Sequence, residues 1–286
     1  MEKIKINKNP KFTLLITVLL MLSSSGSFAG FFLDNGIGLK GMQMGGAYTA
    51  SPEGTDAIFW NPAKLSDTYP AQIYGTYSEK FGEVKEYSFL YSTQLDEKSG
   101  IGAAYIHAGV DDIIQYSTTS QNMGTFSFGN DALLLGYGYK LDDSKSMGLT
   151  VKNITQKAID QASFISFDLA YHMVFGEGTH LGLVAQDIYA TGTEIKPVYR
   201  VGLSKQMGEF QVNGDYMLPI LLNQGFFKLG VSYDGLKPIN IKAGYNDYDK
   251  LLYLGMSVTL HGFTLDYLFS NPDLGTVHQF GFGYNF

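Results

Sequence analysis

From residue 71 onward, apolar and polar residues alternate along the chain in short runs that turn residues separate. One such run places apolar side chains at every second position, namely Ile165, Phe167, Leu169, Tyr171 and Met173. The same period recurs at 133–140, 227–233 and 263–268. A period of two is that of a β-strand with two different faces and does not fit an α-helix. The pattern predicts an all-β protein whose strands each have one apolar, aromatic face.

The alternating runs predict about fourteen strands. They are 71–78, 84–94, 99–109, 131–141, 145–155, 162–175, 178–188, 197–206, 208–218, 225–234, 237–245, 250–260, 261–270 and 276–286. Each is close to the 9 to 11 residues that a tilted membrane-spanning strand needs, and an even number of strands suits a closed antiparallel barrel. The sequence therefore favours a transmembrane antiparallel β-barrel over residues 71–286.

The connections between these strands should alternate in length. If both termini are periplasmic, the odd-numbered connections are external and should be the longer ones. We expect the third, from Gly109 to Asn130, to be the longest of all. Even-numbered connections such as 141–145 and Leu260-His261 are predicted to be tight.

The last strand separates a membrane barrel from a soluble β-sandwich, which alternates in the same way. Four aromatic residues lie on one face of this strand, at Phe280, Phe282, Tyr284 and Phe286. In water such a terminal strand would promote aggregation, whereas in a membrane that face contacts lipid. This ending is similar to the closing-strand signal of outer-membrane barrels, which the barrel-insertion machinery recognises.

The first 29 residues have the features of a secretory signal peptide. Four lysines precede an apolar run from Phe12 to Leu22, and Ser27-Phe28-Ala29 offers small residues at a cleavage site. The run is too short to cross a membrane as a helix. We expect residues 1–29 to be removed and the mature protein to lie in the outer membrane of a diderm bacterium, in contact with its lipid.

Composition excludes several classes of protein. The net charge is −7 and becomes about −10 without the signal peptide, so a nucleic-acid partner is not expected. With 0 Cys, disulfides and thiolate metal sites are absent. After the signal peptide, no apolar run approaches the length of a membrane-spanning helix.

A glycine-rich, irregular stretch precedes the first strand and contains the only Trp of the chain, Trp60. Residues 36–41 match the G-x-G-x-x-G fingerprint, but that motif needs a βαβ unit, which nothing here supplies. Asn61 followed by Pro62 predicts a capped short helix through Leu65. We predict that residues 30–70 form a compact hatch with brief helical turns, folded back into the barrel lumen.

This stretch resembles the N-terminal hatch of the FadL-like outer-membrane proteins, particularly their PorV/PorQ branch. The residues that carry the resemblance are Gly41, Met42, Met44, Gly45, Gly46, Ala47, Tyr48, Trp60, Asn61, Pro62 and Ala63. Segments 182–188, 199–204, 241–246 and 264–269 extend it over essentially the whole mature chain.

The resemblance implies a 14-stranded barrel with an N-terminal hatch. It also implies roles that range from uptake of long-chain fatty acids and aromatic hydrocarbons to accessory work in type IX secretion. This chain lacks the long external loops of the fatty-acid transporters, which argues against a ligand site built from loops.

The predicted inward faces of the strands carry charges of both signs. They are Lys140, Lys152, Asp168, Arg200, Asp215, Lys228, Lys242 and Asp266. In one interpretation these charges neutralise one another and hold the hatch. In the other, the cations attract the carboxylate of an amphipathic ligand while Met42, Met44, Phe59 and Trp60 contact its tail.

Enzymatic alternatives find little support in the sequence. The five histidines show no paired metal-ligand spacing, and there is no G-x-S-x-G motif, although a hydrolase site assembled across strands leaves no sequence signature. We expect no cofactor and no metal. The sequence favours an outer-membrane barrel that passes or handles small hydrophobic or amphipathic molecules. The alternative is a non-transporting barrel that docks proteins of a secretion system.

Overall fold

The structure of the chain is a computed structural model that describes residues 36–68, 70–80, 84–116, 122–157, 161–191, 195–273 and 275–286. Fourteen antiparallel strands form one closed barrel in which each strand pairs with its neighbours in sequence and β1 pairs with β14. The all-β barrel prediction is confirmed. The predicted signal peptide, residues 1–29, lies outside the described residues.

Except at the end of β3 and the start of β4, the strand bounds lie within two residues of those expected from alternation. The strands are β1 Gln72–Lys80, β2 Val84–Gln94, β3 Ser99–Tyr116, β4 Asn122–Asp142, β5 Lys145–Lys157, β6 Gln161–Phe175, β7 Thr179–Ala190, β8 Val198–Met207, β9 Phe210–Pro219, β10 Phe226–Leu236, β11 Ile239–Asn246, β12 Leu251–Leu260, β13 Phe263–Ser270 and β14 Val277–Asn285. Between β12 and β13, His261 and Gly262 form a two-residue turn with φ of 51° and 85°. Such a turn needs positive φ at both positions.

The expectation that Gly109 to Asn130 forms the longest loop is wrong. β3 and β4 continue as a paired ladder to Tyr116 and Asn122, with register shifts between Val110 and Ile113 and between Ile114 and Tyr116. A bulge of this kind changes which positions of a strand face inward. The alternation of apolar and polar residues in the sequence is therefore interrupted, although the two strands stay paired. Between described strands, the longest connection is residues 191–197, which joins β7 to β8.

The outer surface of the barrel is an apolar belt. Leu133, Leu135, Leu169, Leu229 and Leu265 are exposed on it, and their strand neighbours point inward. A barrel with this surface has its energetically favourable environment in lipid, since exposure of such an area to water would be costly. The alternation predicted from the sequence is therefore the alternation between lipid-facing and inward-facing side chains.

One rim of the barrel is uneven. β3 and β4 contain 18 and 21 residues, whereas β8 to β14 contain 8 to 11. Because all the connections at the opposite rim are short, the extra length of β3 and β4 lies at the rim where β3 leads into β4. One part of the wall therefore extends well beyond the rest.

Candidate functional site

The hatch is residues 36–68, and it contains four short helices. They are α1 Leu39–Gln43, the 3₁₀-helix η1 Gly54–Asp56, α2 Ala57–Trp60 and the 3₁₀-helix η2 Pro62–Asp67. The Oδ1 atom of Asn61 accepts the N–H of Ala63 at 3.1 Å, and Pro62 occupies the first position of η2. The predicted Asn-Pro cap is thus present, with a 3₁₀-helix following it.

Trp60 is the centre of the hatch. Its indole N–H donates to the carbonyl of Ile37 at 2.7 Å, and its ring meets Tyr48 and Phe59 edge-on. A Cβ atom on Gly36 or Gly41 would lie 2.4 Å from the indole. The glycines around Trp60 are therefore required by close contact with the ring, and the G-x-G-x-x-G match has a packing explanation.

A belt of inward-facing glycines lines the barrel wall where the hatch touches it. For each of these, a Cβ atom would lie within 3.0 Å of a hatch atom, and the set is Gly100, Gly102, Gly136, Gly138, Gly148, Gly182, Gly202, Gly230, Gly244, Gly255 and Gly281. At Gly244 the nearest atoms are the backbone N of Gly45 and the carbonyl carbon of Met44, both at 2.1 Å. The absent side chains allow the hatch backbone to lie directly on the wall.

Inward-facing polar side chains bind the hatch backbone. Asp215 accepts the N–H groups of Tyr48 and Thr49 at 3.1 and 2.9 Å, and Asn213 donates to the carbonyl of Ala47 at 2.8 Å. Thr150 donates to the carbonyl of Ile58 at 2.9 Å. Such bonds satisfy irregular backbone that is buried away from water.

Gln43 of the hatch makes the reverse contact. Its Nε2 donates to the carbonyls of Met256 and Tyr267 in β12 and β13, at 3.2 and 3.0 Å. Its Oε1 lies 3.2 Å from the hydroxyl of Ser257, which donates to Asp266 and accepts from Lys242. Lys242 and Asp266 are therefore joined in one network with the hatch.

Lys152, Asp168 and Asp187 form a buried ionic cluster on β5, β6 and β7. The ammonium of Lys152 lies 2.7 Å from Asp168 and 2.6 Å from Asp187. Three residues of β7 oppose one of β6 here, and Asp187 has φ of 53°. The backbone N–H of Asp187 donates to Asp168 at 2.8 Å, so the cluster fixes a β-bulge in the wall.

The remaining charged positions also face inward. The guanidinium of Arg200 lies over the rings of Phe59 and Trp60, at 5.3 and 5.2 Å. Lys228 is buried, and its ammonium would lie 3.0 Å from a Cβ on Gly46. Lys140, at the end of β4 that leads to β5, binds Asp67 of the hatch at 3.0 Å. Arg200, Lys228 and Lys140 are thus placed where they touch the hatch.

The hatch motif residues are mostly packing residues. Met44, Ala47, Phe59, Trp60 and Ala63 are each at most 1% exposed, so none of them is accessible to a ligand in this state. Met42 borders a cavity. The suggestion that Met44, Phe59 and Trp60 line an open ligand site does not describe the closed barrel.

A small cavity lies between the hatch and the wall formed by β14, β1, β2 and β3. Ile37, Leu39 and Met42 bound it on the hatch side, and Thr76, Ser78, Ser88, Ile106 and Gln279 bound it on the wall side. Its volume is about 50 Å³. An apolar cavity that binds benzene measures about 150 Å³, so this space holds water but no aromatic ring. The lumen is occluded.

Asp56 is a buried acid that the sequence did not indicate. Burial raises its pKa to about 7, while the neighbouring Lys40 opposes the shift. A Cβ on Gly38 would lie 2.1 Å from its carboxylate. The hatch therefore encloses a carboxyl group with little room for water.

Other contacts also escaped prediction. Tyr74 donates to Asp266 at 2.7 Å, and the rings of His172 and His180 form a hydrogen bond of 3.1 Å. These pairs join residues on different strands, and only the barrel register brings them together. The only indication in the sequence was that strand alternation places these residues on the inner face of the barrel.

The aromatic residues of the last strand lie on the outer face, as their spacing indicates. Phe280, Phe282 and Phe286 are exposed, and the backbone N–H of Phe286 donates to the carbonyl of Ala71 at 2.9 Å. The chain end thus contacts the start of β1. Recognition by the insertion machinery stays a prediction.

Two other kinds of feature are absent from the described residues. No helix among them is long and apolar enough to cross a membrane. No three His, Asp or Glu side chains within the described ranges are grouped so that they could hold a metal ion.

Solved structures share this fold. The sequence itself matches no protein-family model and no curated protein. The CymD monoaromatic hydrocarbon channel is similar, with 12% identity, a TM-score of 0.66, and coverage of 88% of this chain and 98% of that one. The Pseudomonas putida toluene transporter TodX has 12% identity and a TM-score of 0.63 over 88% of this chain and 99% of that one.

A Pseudomonas aeruginosa FadL homologue is similar at 9% identity and a TM-score of 0.62, over 92% of this chain and 99% of that one. At such identities the likeness establishes the fold alone. The chain has the 14-stranded barrel fold of FadL-type channels. Membership of the PorV/PorQ branch stays a prediction.

Proposed function

We propose that this protein is an outer-membrane channel for small hydrophobic molecules whose lumen is closed at rest by the hatch. The observation that carries this proposal is the occluded lumen inside a barrel with a lipid-facing belt. An open polar pore would pass ions and sugars, whereas this interior is filled by a packed apolar core around Trp60, Ile58 and Leu134. Solved channels of similar fold are named for monoaromatic hydrocarbons and toluene.

Passage then requires the hatch to move. The cavity between the hatch and β14, β1, β2 and β3 has about one third of the volume of a protein cavity that binds benzene, so the hatch and the wall must separate before a ring can enter between them. Many modest contacts hold the hatch, and no covalent bond ties it to the wall among the described residues. Such a segment can be displaced without unfolding of the barrel.

A reversible disulfide tests this requirement, because the chain has 0 Cys of its own. Ile58 of the hatch lies against Gly102 of β3, and its Cβ would be 3.4 Å from a Cβ at position 102. Disulfides join Cβ atoms at about 3.5–4.5 Å. The double variant Ile58→Cys/Gly102→Cys should therefore tether the hatch to the wall under oxidising conditions.

Whole cells that produce the double variant should take up labelled toluene several-fold more slowly when oxidised than after treatment with dithiothreitol. The host must lack other hydrocarbon channels, and labelled oleate in a parallel assay distinguishes an aromatic from a fatty-acid substrate. Each single cysteine variant is the control and should respond to neither reagent. Equal uptake by the oxidised and reduced double variant would contradict a moving hatch.

The tall β3–β4 hairpin supports a second candidate function. The paired strands extend beyond the rest of this rim and offer a surface to a partner. A docking role in protein secretion would use this surface and would need no hatch movement. Affinity purification from envelopes, compared between the parent and a chain with residues 112–124 replaced by a short turn, separates the two functions.

A further inference from the structure

We propose that His172 and His180 form a proton-sensitive latch that holds the hatch closed at the periplasmic mouth. The two residues lie near the periplasmic ends of β6 and β7, and both side chains point into the barrel. The Nε2 of His172 lies 3.1 Å from the Nδ1 of His180, and the ring centroids are 5.3 Å apart. The inference concerns closure and does not depend on which molecule the channel carries.

The geometry is that of a hydrogen bond between two rings. The distance between the ring centroids is close to the N···N distance plus the two ring radii, so the nitrogens point at one another. Two nitrogens that share a metal ion would instead point toward a common third position. The pair therefore consists of one donor and one acceptor nitrogen.

His172 also lies beside the hatch. It pairs across the sheet with Gly182, where a Cβ atom would lie 2.1 Å from the carbonyl oxygen of Thr49 and 2.8 Å from the Cα of Ala50. A neutral imidazole has one N–H, so in the neutral pair one ring donates and the other accepts. The chain of contacts then runs from His180 through His172 to the hatch.

A second proton breaks this chain. When both rings are charged, two N–H donors face each other across 3.1 Å, and no acceptor remains between them. The charged groups that face the pair are Lys64 and Asp67 of η2, and Lys140 of β4 binds the same Asp67. Two lysines around one aspartate give little compensation for two imidazolium ions. Double protonation therefore favours the state in which the rings and the hatch have separated.

Histidine in water titrates near pH 6.5, so acidification below this value supplies the protons that the open state binds. Asp56 titrates with the opposite effect on the hatch, because its protonated form suits the closed state. The test therefore uses the full-length Asp56→Asn protein, in which that contribution is removed. The probe is the ion conductance of the purified protein in planar lipid bilayers.

In this background, conductance should rise at least about threefold between pH 7.5 and pH 5.0. His180→Gln and His172→Gln should each abolish the rise, since glutamine gains no proton. His278→Gln is the matched control and should retain it, because His278 lies on the outer face against Tyr267. An acid response that persists in both glutamine variants, or that is absent in the Asp56→Asn protein, would overturn the latch.

If the histidine variants do not fold, a measurement on the Asp56→Asn protein itself still tests the proposal. Nitrogen-15 resonances of labelled histidine report the charge of each ring. The doubly charged pair should appear only over the pH range in which conductance rises. A doubly charged pair in a protein that remains closed would contradict the proposal.

Discussion

Asp56 is an acidic side chain whose surroundings inside the hatch oppose its ionisation. Burial raises its pKa from 3.8 to about 7, and Lys40 offsets the shift only in part. In a displaced hatch the carboxyl would regain water and its ordinary pKa. The closed state therefore gains stability from protonated Asp56 below about pH 3.8, and this stability is lost as the pH rises through about 7.

Replacement of Asp56 by Asn should strengthen closure at neutral pH, because asparagine has the same shape without the charge. At pH 7.5 the variant should leak less in planar bilayers than the parent. The ratio of the parent's leak to the variant's leak should grow as the pH is raised from 5 to 7. Asp67→Asn is the control: burial opposes the ionisation of Asp67, but its ion pairs with Lys64 and Lys140 outweigh burial and lower its pKa. A leak that rises with pH equally in both proteins would contradict this role for Asp56.

The sequence could predict the contacts of residues whose partners lie close to them along the chain. Asn61 caps the residue two positions ahead, so the Asn-Pro pair is sufficient to predict its bond to Ala63. The partners of Asp56, His172 and Gln43 lie on other elements, and Gln43 contacts residues more than 200 positions away. No local pattern specifies such pairs, because the register of a closed barrel decides them.

At the scale of the element, each strand carries two independent patterns. The outer face needs apolar side chains for lipid, and this requirement gives the alternation that predicted the strands. The inner face needs small or polar residues where the hatch lies, and glycine is common there. The strand bounds followed from the first pattern. The glycine belt did not, because its meaning depends on a hatch backbone that no strand sequence reveals.

Addition of a methyl group to the belt should displace the hatch. In Gly244→Ala the new Cβ would lie 2.1 Å from backbone atoms of Met44 and Gly45, which cannot rotate away. Gly214→Ala is the matched control, since its Cβ would meet only a side-chain atom of Leu229 at 3.7 Å. Gly244→Ala should raise bilayer conductance several-fold, and Gly214→Ala should leave it unchanged. Equal conductance of the two would argue that the hatch does not press on the wall.

The two faces of a strand should also differ in their tolerance of charge. Leu169→Arg places a guanidinium in the lipid belt and should cost about 2–4 kcal/mol of barrel stability. Thr76→Arg is the comparison, because Thr76 faces the interior beside the hydroxyl of Ser88, so its guanidinium meets polar groups and water instead of lipid. Urea unfolding of the two variants in lipid vesicles measures the difference. If both lose equal stability, the assignment of the faces is wrong.

For the whole molecule, closure of the barrel and closure of the lumen have separate causes. Backbone ladders that run from β1 to β14 and back to β1 close the barrel. The lumen is closed by side chains and by the hatch, which contributes Trp60, Phe59, Met44 and Ile58 to the main buried cluster. The barrel does not use the hatch for its strand pairing. Removal of the hatch should therefore open the lumen and leave the barrel closed.

Deletion of Gly36 to Asp67 tests this separation. A barrel of about fourteen strands without a filling leaves an aqueous path, so the truncated protein should conduct ions far better than the parent in planar bilayers. It should still fold, because the ladder hydrogen bonds remain, and a heat-modifiable band on electrophoresis reports this. Trp60→Ala should give an intermediate conductance, since it removes the largest packing group of the hatch but retains its backbone contacts with the glycine belt. A folded, truncated barrel that conducts no more than the parent would show that the hatch does not close the lumen, and the proposal of a gated channel would then lose its gate.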